Sequence, residues 1–306
     1  MPLEQYDEPI TAFTLWMKQA GYSDTTKKEY AREVRNFLMY LDGLSLERIK
    51  KLTIVSYLVQ EKENVSEGAR NRSLAALRSF FKAMIDFELM SSNPAQEVKK
   101  SKMERNRKPV YLEQAQLSQT VKYIQGKYRN RNIALLLLMA YSGLRVGEVH
   151  RLNLSHYDED KGVITVLGKG RKWNDVPLAP EVNRYMKAVK HERLEPYRKQ
   201  DDAFFISQKG RRLSIRQIQK IIGEMFEGMK AEQAELQGMK LSCHKLRHSF
   251  ATLMLRNQID IRIVKELMGH TSIETTMIYT HIHDEEKKQA MSHIELPPLF
   301  NPNNVL

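Results

Sequence analysis

Cysteine is nearly absent. The 306 residues contain one, Cys243, which excludes an internal disulfide and suits a reducing compartment. Long apolar runs are missing too. The longest, Ile133 to Tyr141 (IALLLLMAY), has nine residues, against the roughly 20 that a bilayer span needs, and reads as a buried core helix. The opening MPLEQYDEPI has neither the basic start nor the apolar stretch of a signal peptide. No membrane association and a cytoplasmic location are therefore expected. The P-loop pattern GxxxxGK(S/T) does not occur, and no GxGxxG opens a helix after a strand. What is present is 42% hydrophobic and 28% charged residues, a globular balance, over a length that accommodates two domains of ordinary size.

Acidic residues are the minority charge. Lys plus Arg is 49 and Asp plus Glu is 37, a net of +12 with a pI near 9.5. Such an excess favours a polyanionic partner, most often nucleic acid.

Residues 1–98 read as helices only. ITAFTLWMKQAGY has helical apolar spacing and ends at Gly21. Thr26-Lys27-Lys28-Glu29 has the form of a capping box and is expected to open a second helix, ending at Gly43. A third is expected from Leu46 to Glu61. A fourth is expected from Ser66 to the residues before Asn93-Pro94. Next, KKSKMERNRKPV (99–110) carries six basic residues and one acid. It reads as a solvated interdomain linker whose Lys99, Lys100, Lys102, Arg105, Arg107 and Lys108 could also lie against phosphates.

From Tyr111 the character changes. Helical segments surround one strand pair, GVITV (162–166) and KWNDVPL (172–178), joined through a Gly-Lys-Gly turn. Helices are expected at about 180–195, 214–230, 242–256, 260–268 and 272–282, so this half is mostly α with a small sheet. The tail HIELPPLFNPNNVL has two adjacent prolines in an apolar ELPPLF cluster.

Several residues in this half could carry chemistry. In SGLRVGEV, Gly143 reads as a turn and Arg145 as the start of a new helix, where backbone N–H groups favour an anion. Glu148, three residues on, could hold Arg145 or a neighbour in place. Lys169 has a glycine on each side, so its backbone could approach a nucleic acid closely. SCHKLRHSF places His244, Arg247 and His248 on adjoining faces of one helix. His244 and His248 share the spacing of the HExxH zinc helix. The position of its glutamate is Lys245, however, and Arg247 would set a cation beside the metal, so no metal is expected. An arginine between histidines suits a phosphoryl group better, through its planar fork and through imidazoles that titrate near neutrality. Met268-Gly269-His270 follows a helix end. Tyr279, in MIYTHIH, is on its own far more often a packed core tyrosine than a nucleophile.

Taken together and in this order, Arg145 in SGLRVGE, Lys169 in GKG, His244-Lys245-Leu246-Arg247-His248, Met268-Gly269-His270 and Tyr279 resemble the tyrosine recombinases, the family of phage integrases and Xer recombinases. The spacings agree as well: 24 residues from position 145 to 169, three from 244 to 247, 23 from 247 to 270 and nine from 270 to 279. The motifs cover the C-terminal two thirds. The helical first part and basic linker agree with the family's core-binding domain. Members commonly have Thr at Ser142 and Leu at Met268, and both departures are small.

The resemblance implies a mainly α, two-domain, C-shaped DNA clamp. Its parts would be a helical core-binding domain (1–98), the linker (99–110), a mixed α/β, mostly α catalytic domain (111–283) and a tail (284–306) that docks on a neighbouring protomer. It implies that Tyr279 attacks the scissile phosphate and forms a 3′-phosphotyrosyl link, and that Arg145 and Arg247 clamp the non-bridging oxygens. Lys169 would act as general acid, His244 would assist proton removal from Tyr279, and His270 would hydrogen-bond the phosphate. Glu148 and His248 would support them. No cofactor is implied. The implied partners are duplex DNA with short inverted-repeat core sites, a homotetramer on paired sites or a heterotetramer with a second recombinase, and accessory proteins. At 306 residues little room is expected for an additional arm-site-binding domain. Two other readings share the motifs: a type IB topoisomerase-like relaxation, and a DNA-binding regulator without chemistry.

Overall fold

The computed structural model describes residues 3–102, 110–168 and 172–269. Lys169, His270, Tyr279, Arg105, Arg107, Lys108, the helix expected at 272–282 and the tail from 284 lie outside the described residues, in whole or in part. The chain divides into two compact units, Met1–Arg107 and Lys108–Leu306. The described structure is mainly helical with one small antiparallel sheet, as expected.

The first unit packs α1 (Asp7–Gln19), α2 (Asp24–Tyr40), α3 (Lys51–Gln60) and α4 (Glu67–Asp86). Helical spacing brings Phe13, Met17, Phe37, Leu38, Tyr57, Leu77, Phe80 and Phe81 into one core. Phe13 meets Phe80 edge-on at 5.5 Å and Phe37 meets Tyr57 at 5.1 Å, a favoured aromatic geometry.

Three boundaries differ from expectation. Helix α2 starts at Asp24 because Ser23, not Thr26, is its cap. The Ser23 hydroxyl accepts the Thr26 N–H at 3.2 Å, and the two hydroxyls hydrogen-bond at 2.8 Å. The helix expected over 46–61 is split: a single turn at Leu46–Arg48 precedes α3, because Ile49 turns extended and is buried. Helix α4 stops at Asp86, well before Asn93-Pro94, because Glu88 adopts φ +59°. Near this unit's end, Asn71 accepts the Ser101 N–H at 2.8 Å and donates to the Ser101 carbonyl at 3.0 Å. This holds the chain against α4 while Lys99, Lys100 and Lys102 remain exposed.

The second unit opens with α5 (Gln114–Gln119), which sequence periodicity did not reveal, and α6 (Arg129–Ala140). Every residue of α6 from Ile133 to Ala140 is buried, as a helix apolar on all sides must be. A six-residue helix, α7 (Val146–Arg151), follows. The sheet then runs β1 (Tyr157–Asp158), β2 (Val163–Leu167) and β3 (Trp173–Pro177), antiparallel in that order. Ile164 pairs with Val176 and Val166 with Asn174, so alternation turns Ile164, Val166 and Val176 to the core. β1 is an addition to the expected pair. The unit closes with α8 (Pro180–His191), α9 (Ile215–Glu232), α10 (Cys243–Arg256) and α11 (Ile261–Leu267). Among the described residues no helix is long and apolar enough to cross a membrane.

Candidate active site

The site is built from the bottom of a glycine turn. After α6, Gly143 takes φ +65°, where a glycine meets no steric cost, and the Leu144 N–H returns to the Leu138 carbonyl at 3.0 Å. A Cβ at Gly143 would stand 2.5 Å from Cδ1 of Phe250, so the turn lies directly against α10. The turn delivers Arg145 to the start of α7. At this helix start the anion is supplied by Glu148 of the same turn. Glu148 accepts the Arg145 N–H at 2.7 Å and the Arg145 guanidinium Nη1–H at 2.8 Å. A carboxylate in the first turn is what the helix start favours.

Arg247 reaches the same carboxylate from α10, with Nη1 3.8 Å from Glu148 Oε2. Both residues are deeply buried, at 6% exposure each. Arg247 also donates from Nη1 to the Gly143 carbonyl and from Nη2 to the Met268 carbonyl. One guanidinium thus joins the turn before α7, the Glu148 carboxylate and the turn after α11. Such a network has little rotational freedom, which is what a phosphate clamp needs.

Around it the titratable groups are neutral imidazoles among cations. Partial burial first, then Arg247, Arg145 and Lys245, hold the His244 pKa below its ordinary 6.5, although part of the ring reaches solvent. Burial, then Lys245, His244 and Arg247, push His248 down to about 4. Burial likewise lowers Lys245. Cys243 is buried and its thiol is pushed up to about 11, so it stays protonated at neutral pH and does not act as a nucleophile. The His248 shift has a sign that can be measured. As pH falls below 6.5 the unfolded chain takes up the proton and the folded one does not, so stability is lost between 6.5 and about 4 and is unaffected above 6.5. Melting temperatures are expected to be flat from pH 7 to 8 and to decline below 6.5. His248→Asn should flatten the part of the decline above pH 5. An unchanged slope in that variant would refute the assignment.

Sequence reasoning missed two residues here. Ser249 accepts the buried Leu112 N–H at 2.8 Å and donates to the Lys245 carbonyl at 2.8 Å. It fastens the chain entering the second unit to the helix that carries His244 and Arg247. Asn174 stands between the hairpin and the turn after α11. Its Nδ2 lies 2.8 Å from where a Cβ would stand on Gly168 and 3.6 Å from where one would stand on Gly269. The available signal was a polar residue at a strand position sharing the inward face of Val176. Gly168 and Gly269 adjoin Lys169 and His270 in the sequence. Among the described residues, Arg145, Glu148, Arg247, His244 and His248 lie around one region.

Comparison with known proteins identifies the family. The model for the Phage integrase family matches residues 111–286, more than half of the chain, and that for the "Phage integrase, N-terminal SAM-like domain" matches 10–86. The chain belongs to the phage integrase family. Members similar to it include the Tyrosine recombinase XerD of Oceanobacillus iheyensis, 32% identical over 273 residues, which are 86% of this chain and 90% of that one. The Tyrosine recombinase XerC of Caldanaerobacter subterraneus subsp. tengcongensis is 34% identical over 244 residues, 78% of this chain and 65% of its own. Among solved structures, the XerH site-specific recombinase bound to palindromic difH substrate, a post-cleavage complex, is 25% identical with a TM-score of 0.72, covering 87% of this chain and 79% of that one. This integrase-family chain is accordingly a site-specific tyrosine recombinase, an enzyme that breaks and rejoins DNA strands.

Proposed function

We propose that Tyr279 is the nucleophile of this recombinase and that Arg145, Lys169, His244, Arg247 and His270 complete its site, with Glu148 and His248 supporting them. The observation that carries the reading is the shared carboxylate: Glu148 holds Arg145 at 2.8 Å and stands 3.8 Å from Arg247, so two guanidiniums are fixed side by side. Such a pair stabilises the charge on the non-bridging oxygens of a pentavalent phosphorane. The Tyr279 oxygen bonds to phosphorus as the bond to the 5′-oxygen breaks. The tyrosine proton passes to His244, kept neutral by its lowered pKa, and Lys169 gives a proton to the departing 5′-oxygen. The released 5′-hydroxyl of the exchanged strand then reverses the step. Two guanidiniums, a lysine and imidazoles supply the charge and the protons, and the phosphotyrosine conserves the bond energy, so the reaction is read as needing no metal and no nucleotide.

The substrate is read as duplex DNA with short inverted core sites. The first unit and the linker, through Lys99, Lys100, Lys102, Arg105, Arg107 and Lys108, would hold its backbone. Residues 1–98 are assigned to core binding, 99–110 to the linker, 111–283 to catalysis and 284–306 to a contact with a neighbouring protomer. The assembly is a tetramer of this chain or one shared with a second recombinase, working in the cytoplasm, with or without accessory proteins.

The test uses fragmented DNA from the source cell with wild-type protein and with Tyr279→Phe, both in EDTA. Reactions are stopped with SDS and the protein-linked DNA is sequenced. Covalent DNA from wild type alone, with ends converging on one short imperfect palindrome, is the expected result. Adduct surviving Tyr279→Phe refutes the nucleophile, and adducts scattered without a shared site favour topoisomerase-like relaxation.

A further inference from the structure

We propose that the side-chain amide of Asn174 is a substrate contact, donating a hydrogen bond to a phosphate oxygen of the DNA strand held by Arg145 and Arg247. The inference rests on the recombinase site proposed above. Asn174 is half-buried on β3, on the inward face that it shares with Val176. Its Nδ2 is wedged toward two residues that lack side chains, 2.8 Å from the Cβ position of Gly168 and 3.6 Å from that of Gly269. A Cβ at Gly168 would crowd the amide, whereas at Gly269 it would stand in ordinary contact with it, so the amide lies close to both turns.

Neighbouring polar side chains of the sheet are paired. Thr165 donates to Asp175 at 2.7 Å across the β2–β3 pair, and Tyr157 donates to the Asn183 side chain at 2.5 Å. The Asn174 side-chain amide makes no hydrogen bond among the described residues. Half-buried, the amide keeps access to solvent and can donate to a bound oxygen without breaking a contact within the sheet. The location names the acceptor. Gly269 follows Met268, whose carbonyl is held by the Arg247 guanidinium. Gly168 precedes Lys169. The amide therefore lies beside the turn whose preceding carbonyl the Arg247 guanidinium holds, and in a site proposed to bind a phosphate an anionic oxygen is the favoured acceptor.

The test measures single-turnover cleavage on a nicked suicide substrate carrying the core site recovered by sequencing, for wild type, Asn174→Ala and Asn174→Asp, with Tyr279→Phe as the chemical blank. Asn174→Ala should slow cleavage on the order of tenfold, as a lost hydrogen bond to a charged group does. Asn174→Asp, which sets a carboxylate against the phosphate, should slow it further. Replacing the scissile phosphate, and in turn each neighbouring phosphate, with an uncharged methylphosphonate should remove the extra penalty of Asp over Ala at one position. Melting temperatures within a degree or two of wild type on the scale of small surface changes show that the variants fold. A misfolded Asn174→Asp would be replaced by Asn174→Gln, whose amide is preserved and whose cleavage should exceed that of Asn174→Ala. Equal defects in Ala and Asp, on charged and uncharged phosphates alike, would reduce Asn174 to a packing role and overturn the inference. Wild-type cleavage with unimpaired Asn174 variants would overturn it alone. Absence of cleavage by wild type would overturn the site reading with it.

Discussion

Glu148→Ala is expected to destabilise the second unit by about 3 kcal/mol and to abolish measurable strand cleavage. The carboxylate is 6% exposed and bonds both the backbone N–H and the guanidinium of Arg145. It also stands 3.8 Å from a guanidinium of the same depth, that of Arg247. Removing one member of a buried charge set leaves the others desolvated and uncompensated, a loss of about 3–5 kcal/mol in comparable cases. The lower figure applies because Arg145 keeps 32% of its side-chain surface in solvent. Cleavage fails for a different reason. Without their common counter-ion the two guanidiniums repel and lose the alignment that a phosphate requires. Glu148→Gln keeps the shape and the acceptor oxygen, so it should recover part of the stability and little of the activity. Chemical denaturation and suicide-substrate cleavage measure the two. A Glu148→Ala loss below about 1 kcal/mol, the size of an exposed ion pair, would show that the carboxylate does not hold the pair.

Gly143→Ala is the second large effect. A non-glycine residue at φ +65° carries a backbone penalty of about 1–2 kcal/mol. The new methyl would then press into the Phe250 ring, with Cδ1 at 2.5 Å and Cε1 at 2.7 Å. Phe250 is itself buried on α10 and cannot swing away, so overpacking adds about 1–3 kcal/mol. The Gly143 carbonyl that receives Arg247 would shift with the turn, and cleavage should fall with stability. Combining the change with Phe250→Ala separates the terms. The double variant should recover the steric part and keep the backbone part, giving a favourable coupling relative to the two single changes. Strict additivity would mean that methyl and ring never meet.

Much of the site could be read in advance because its chemistry is linear in the chain. Arg145, the His244–His248 helix, the Met268-Gly269 turn and the Gly143 turn all follow from residue type and spacing. The structure places the described ones around one region. The first unit was legible as helices because its apolar spacing is strong. Its ends were not, since capping is decided by which of several hydroxyls wins. Ser23 displaced Thr26 as the cap of α2, and a positive φ at Glu88 ended α4 early. Helix α5 was missed because six residues carry too little periodicity to declare themselves.

From sequence alone came the fold class and the family, because each depends on patterns that repeat within a few turns of chain. Tertiary structure alone decided that Glu148 serves both arginines, that Arg247 ties the Gly143 and Met268 carbonyls together, and that Asn174 stands against Gly168 and Gly269. The contacts of Arg247 with Glu148 and Gly143, and of Asn174 with Gly269, join residues 95 to 104 positions apart. Spacing along the chain carries no record of them. They exist only once the packing of α6, α7 and α10 around one core has set the distances.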